Sequence, residues 1–228
     1  MRGSVLPVAV MVVGLAVLAL TVVFAPSYDR YAEPGVSMEP TIPAESSVTG
    51  LEISGDEVRR GDIVVFPVDV WADSRGSSEK LVRRVVAVGG DTVASDDEGR
   101  VSVNGKPISE DYTAADPMAR AFSVQVDQGK VFVMGDNRGN SRDSRLYVTL
   151  PERGGIPASA ITAVVVKVDG KTLSATTAFT AAGLDGAPTA DKSDWSTPAL
   201  AGGALVFLGG AAWLVFGLSR RKRTVVQA

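Results

Sequence analysis

Residues 35–41 read Gly-Val-Ser-Met-Glu-Pro-Thr and place one serine between a glycine and a proline turn. A serine hydroxyl becomes a useful nucleophile when its position is fixed and its proton has somewhere to go. Gly35 would let the backbone approach a substrate closely, and Pro40 would fix the turn just after Ser37. The chain contains neither histidine nor cysteine. A Ser-His-Asp triad, a thiolate nucleophile and His- or Cys-ligated metal are therefore excluded, and lysine is the usual base left for a serine. Serines beside prolines are mostly loop formers. The weight on Ser37 comes from three later stretches: residues 60–66 (Arg-Gly-Asp-Ile-Val-Val-Phe), 81–93, and 135–145 (Gly-Asp-Asn-Arg-Gly-Asn-Ser-Arg-Asp-Ser-Arg).

In order and spacing these four stretches resemble the boxes of the type I signal peptidases, membrane-bound serine proteases that use a serine–lysine pair. The resemblance runs from about Pro34 to Val168. It implies that Ser37 is the nucleophile and that Met38 packs beneath it. Gly35 falls where some members carry a serine hydroxyl that helps bind the oxyanion, which would leave that task to the Ser37 amide. Ser141 matches the serine that orients the base. Asp143, Arg145 and Arg84 match an ion-paired brace, and Gly135 and Asp136 would shape the turn under the site.

One position departs from the family. Arg83 stands where the resemblance requires the base lysine. Burial can lower the pKa of a lysine into the working range, but a guanidinium stays protonated throughout that range. Arg83 could position Ser37 or stabilise an oxyanion; it could not take the serine's proton. Lys80 is the second candidate for the base. It lies three residues earlier, and an odd offset in a regular strand points to the opposite face unless a bulge intervenes. The remaining lysines match no box.

The elements that must carry these residues follow from the pattern. Residues 5–25 are an unbroken apolar run, long enough to span a bilayer and longer than a signal-peptide core, although Val23-Phe24-Ala25 would pass as a cleavage site. Residues 26–171 alternate short apolar segments with turns and predict an antiparallel β domain. Expected strands cover 47–53, 62–68, 80–88, 92–94 and 161–168, with a hairpin turning at Asn104-Gly105 and a second pair at 124–126 and 130–134. Residues 172–197 have a linker composition. Residues 198–218 are a second apolar run, in which Gly203, Gly210 and Gly217 recur every seventh position, as at a close helix–helix contact. Residues 219–228 form a basic tail with Arg-Arg-Lys-Arg at 220–223. Together with Arg2, that cluster puts both termini on the cytoplasmic side of the plasma membrane and the β domain outside.

The fold class expected is thus mainly β: a coiled antiparallel sheet domain of signal peptidase type between an N-terminal and a C-terminal transmembrane helix. The function implied is removal of signal peptides from exported preproteins by a membrane-bound serine endopeptidase. The alternative, prompted by Arg83, is a weak or inactive homologue that binds signal peptides or a partner. The partners expected are preprotein signal peptides and the lipid bilayer. With a net charge of −3 nothing points to nucleic acid, and no metal or other cofactor is implied.

Overall fold

The computed structural model describes residues 5–23, 25–33, 35–191 and 193–225. Arg2, Phe24 and Pro34, which entered the sequence reading, lie outside them. The chain divides into two units: residues 1–26 with 192–228, and residues 27–191.

The first unit is a pair of helices, α1 (Val5–Val23) and a longer C-terminal one over Ser193–Val225. Within α1, Leu6–Val23 is long and apolar enough to cross a membrane. The C-terminal helix carries a shorter apolar stretch, Leu200–Phe216, and it continues through the stretch that the sequence assigned to a basic tail. Glycines set the contact between the two helices. A Cβ added to Gly14 would fall 2.5 Å from the Phe207 nitrogen, and one on Gly210 would fall 3.0 Å from the Met11 nitrogen. Gly203 abuts Leu18 and Val17. Two of the three heptad glycines therefore face α1, as small residues do where helix backbones approach.

The second unit is mainly antiparallel β. Its strands are β1 (Tyr28–Glu33), β2 (Ser46–Glu52), β3 (Ile63–Pro67), β4 (Lys80–Val88), β5 (Thr92–Ser95), β6 (Val101–Val103), β7 (Lys106–Pro107), β8 (Phe122–Gln125), β9 (Lys130–Met134), β10 (Ile156–Pro157), β11 (Ala163–Val168) and β12 (Lys171–Thr172). One sheet runs β1-β2-β11-β3-β4-β9-β10, with β12 beside β11; the other runs β7-β6-β5-β8.

The central strands read as continuous apolar runs because both of their faces are buried. Val64 and Phe66 of β3 enter one cluster with Val85, Val133 and Val164. Ile63 and Val65 enter another with Met38, Ile42 and Val82. Strand β9 splits the same way: Val131 and Val133 join the first cluster, while Phe132 and Met134 join a third beneath the small sheet. A bulge in β4 shifts its register to β9 between Val85 and Ala87 and turns Val86 and Ala87 into that third cluster.

Two expectations need correction. Residues 124–126 and 130–134 do not pair with each other: β8 pairs with β5 in the small sheet and β9 with β4 in the large one. The intervening Asp-Gln-Gly turn carries the chain from one sheet to the other. Nor are residues 172–191 a free linker. Phe179 is fully buried and joins Ala178 and Leu184 in the third cluster. Further on, the Thr189 amide donates to Asp62 Oδ1 at 2.6 Å.

Candidate active site

Ser37 is held from below by its neighbours in sequence. Met38 and Ile42 are fully buried in the cluster on β3 and β11, and the Ile42 amide donates to the Met38 carbonyl at 2.9 Å. The residue-135 loop clamps the same turn from the side. The Asn137 amide donates to the Ser37 carbonyl at 3.0 Å, and Asn137 Nδ2 donates to the Val36 carbonyl, also at 3.0 Å. Gly135 is tightly enclosed, since a Cβ there would fall 2.7 Å from the Ser37 carbonyl oxygen and closer still to the Ser141 side chain. Ser37 itself is only 8 % exposed.

Arg83 reaches this turn from β4. Its Nη1 donates to Ser37 Oγ at 2.7 Å and to the Val82 carbonyl at 2.6 Å, and its Nε donates to the Arg142 carbonyl at 2.8 Å. Residues 80–83 of β4 pair in unbroken register with β3, and β9 joins β4 only from Arg84 onward. The bulge therefore lies beyond Arg83. Lys80 keeps the opposite face: it is exposed, and its ammonium sits 4.7 Å from the Tyr31 ring centroid.

Ser141 Oγ is buried and has no hydrogen-bond partner among the described residues. The expected bond from Ser141 to the group at position 83 is not made. A guanidinium is planar and bonds along fixed directions; here its Nη1 points to Ser37 and Val82 and its Nε to Arg142.

The brace also differs from its expected form. Arg84 pairs with Asp136, not with Asp143: Nε and Nη2 meet the two carboxylate oxygens at 2.8 and 2.6 Å, and both residues are buried. Asp136 also accepts from the Thr41 hydroxyl at 2.5 Å, so the pair is tied to the serine's own turn. Burial pulls Arg84 down, but the Asp136 carboxylate outweighs it and holds the guanidinium above its ordinary pKa. Arg145 does pair with Asp143, and also with Asp116. Asp143 in turn accepts from the Gly135 amide at 3.0 Å.

Several of these residues escaped the sequence reading. Glu110 forms a buried pair with Arg138 at 2.5 Å, and Arg138 Nε donates to the Gly135 carbonyl. The Tyr112 ring lies 4.1 Å under the Arg84 guanidinium. Burial, reinforced by Glu110, raises the Tyr112 phenol far above its usual pKa, so it stays a neutral donor to Glu110. Asn137 and Arg138 stood inside a matched box, whereas Glu110, Tyr112 and Asp116 come from a loop with no motif. Among the described residues no group of acidic side chains could hold a metal ion.

Residues 2–168 match the family described as "Signal peptidase, peptidase S26". The chain belongs to the signal peptidase family. It is 37 % identical over 150 residues to signal peptidase I of Bacillus amyloliquefaciens, covering 60 % of this chain and 73 % of that one. It is 35 % identical over 141 residues to probable signal peptidase I-1 of Synechocystis sp., covering 60 % and 71 %. Identity to probable signal peptidase I of Mycobacterium leprae is 31 % over 182 residues, covering 61 % and 62 %. The chain thus spans between about three fifths and three quarters of these relatives' lengths. The reaction that goes with signal peptidase membership is removal of signal peptides by a serine endopeptidase. Nothing in these likenesses favours a homologue that binds without cutting.

Proposed function

We propose that this signal peptidase cleaves exported preproteins with Ser37 as nucleophile and with Arg83 as a fixed cation in the place of a base. The observation that carries this reading is the 2.7 Å bond from Arg83 Nη1 to Ser37 Oγ. A permanently protonated guanidinium cannot accept the serine proton, but it favours the ionised form of the oxygen that it touches. The proton passes to solvent hydroxide, Oγ forms a bond to the scissile carbonyl carbon, and the carbonyl electron pair moves to its oxygen. The Ser37 amide stabilises that oxyanion. Collapse of the intermediate expels the amine, protonated by water, and a second water hydrolyses the acyl-enzyme.

An extended substrate would add to β4 beside residues 81–83, ahead of the point where β9 joins that strand. The residue before the cut would be small, as the tight packing around Ser37 demands. Gly35 would keep the approach open. Met38, Arg84, Asp143 and Arg145 would support the site without touching the reacting atoms.

The domain would work beside a plasma membrane. Helix α1 is one span, and its packing against the C-terminal helix supports a second, with the lipid bilayer around both. The charges at 220–223 would then place both termini in the cytoplasm and the β domain outside. Cleavage of a preprotein by the full chain in lipid vesicles, compared with its Ser37→Ala form, tests the nucleophile. Equal cleavage by the two forms contradicts it.

A further inference from the structure

Arg83 is anchored outside its own strand by the Arg142 carbonyl, at 2.8 Å from Nε. The side chain of that same Arg142 points away from the site and is gripped by the hairpin loop between β3 and β4. Its Nη2 donates to Asp73 Oδ1 at 2.7 Å and to the Ser74 hydroxyl, and its Nε donates to the Tyr147 hydroxyl at 2.8 Å. Tyr147 closes the ring by donating to Asp73 Oδ2 at 3.1 Å. Beneath these bonds the Tyr147 and Trp71 rings stack, with centroids 4.7 Å apart and planes inclined at 17°. Trp71 meets Phe66 of β3 edge-on at 5.5 Å. The loop after β3 and the loop carrying Arg142 are thereby locked together beside Arg83.

We propose that Asp73 and Arg142 are positioning residues. Their latch fixes the Arg142 carbonyl and, through it, the plane of the Arg83 guanidinium at Ser37. The inference rests on the reading of Ser37 and Arg83 given above. Three features carry it. The ring of bonds ends on the residue whose carbonyl binds Arg83. The bond involved uses Nε, an atom that an arginine has and a lysine lacks. The latch also spans two segments far apart in sequence, so losing it frees the carbonyl without emptying the core.

The Nε bond supplies a test that a merely structural role would fail. The latch should matter to the Arg83 enzyme and not to an Arg83→Lys enzyme, whose amine has no Nε to hold. The full chain is placed in vesicles of phosphatidylethanolamine and phosphatidylglycerol, and kcat and KM are measured on a preprotein cut after alanine. Asp73→Ala and, separately, Tyr147→Phe should lower kcat by about 10- to 100-fold, the scale of a misplacement near 1 Å, with little change in KM. Asp73→Glu should recover most of the loss. In the Arg83→Lys background the same Asp73→Ala change should alter kcat by less than about twofold, because the Nε bond through which the latch acts is already gone; this departure from additivity is the mark of coupling between Asp73 and Arg83.

If turnover of the Arg83 enzyme is too slow for kcat, the rate at which a small sulfonyl fluoride modifies Ser37 reads the same geometry, with the same pattern expected. Equal losses in both backgrounds would overturn the proposal in favour of a structural role. No loss in either would overturn it outright. A Ser37→Ala enzyme that still cleaves would instead refute the nucleophile, independently of how the latch variants behave.

Discussion

Arg84 and Asp136 form a two-point buried pair, and the Thr41 hydroxyl joins it from the turn that carries Ser37. The nucleophile's turn and the residue-135 loop are therefore braced by one carboxylate. Breaking a buried pair from one side costs about 3–5 kcal/mol, because the other charge is left without compensation. Asp136→Asn should lower the melting temperature clearly and remove cleavage. Asp143→Ala should cost less, because Arg145 keeps Asp116. Thermal unfolding of the two variants side by side checks this; equal losses would mean that the two pairs brace the site alike.

Much of the fold was legible because the central strands bury both faces. Residues 63–67 and 80–88 announce themselves as β-branched runs, and Asn104-Gly105 forms its turn with φ of 53° and 73°. What sequence could not show is where side chains meet across long separations. Glu110 and Tyr112 have no motif and matter only because their loop lies under Arg84 and Arg138. Phe179 and Leu184 are isolated apolar residues in a stretch of Ala, Thr and Gly, too sparse for a period, yet each fills a place in the core. The offset of three between Lys80 and Arg83 was readable, and the unbroken register with β3 keeps their faces opposed.

Acid should reveal Asp91. Burial alone would raise this carboxyl, but the Arg60 guanidinium, the Val88 amide and Asn104 together hold it below the ordinary value. A depressed folded-state pKa stabilises the fold fully above the unfolded value of about 3.9, and the contribution is lost as pH falls through the folded pKa. The stability gap between wild type and Asp91→Asn should therefore be constant near neutrality and shrink below about pH 4. Urea unfolding of both proteins across that range measures it. A gap that widens in acid would reverse the assigned sign.

The helix pair can be read through cysteines, because the chain has none of its own. A Cβ on Gly203 would lie 3.0 Å from Leu18 Cγ. Leu18→Cys with Gly203→Cys should cross-link readily in vesicles, and adding Gly14→Leu should suppress the link by driving a side chain into the Phe207 backbone. Undiminished cross-linking with Gly14→Leu would place the contact elsewhere.

Ser141 should matter only when a lysine is present. Its hydroxyl has no hydrogen-bond partner among the described residues beside Arg83, so Ser141→Ala should leave the Arg83 enzyme nearly unchanged. In an Arg83→Lys enzyme the same change should remove most of any gained activity. Comparing cleavage rates for the four proteins decides it, and a large loss in the Arg83 enzyme would show that Ser141 already serves Arg83.

The most direct test of the central claim is the pH–rate profile of preprotein cleavage by the wild-type and Arg83→Lys enzymes. With Arg83 as a fixed cation, the wild-type rate should climb with pH as hydroxide removes the serine proton. Arg83→Lys supplies a general base and should raise the rate near neutrality by roughly 10²–10⁴-fold, with a plateau where the lysine is neutral. A wild-type profile that already levels off near neutral pH, together with no gain from Arg83→Lys, would mean that another group takes the proton and would contradict the account.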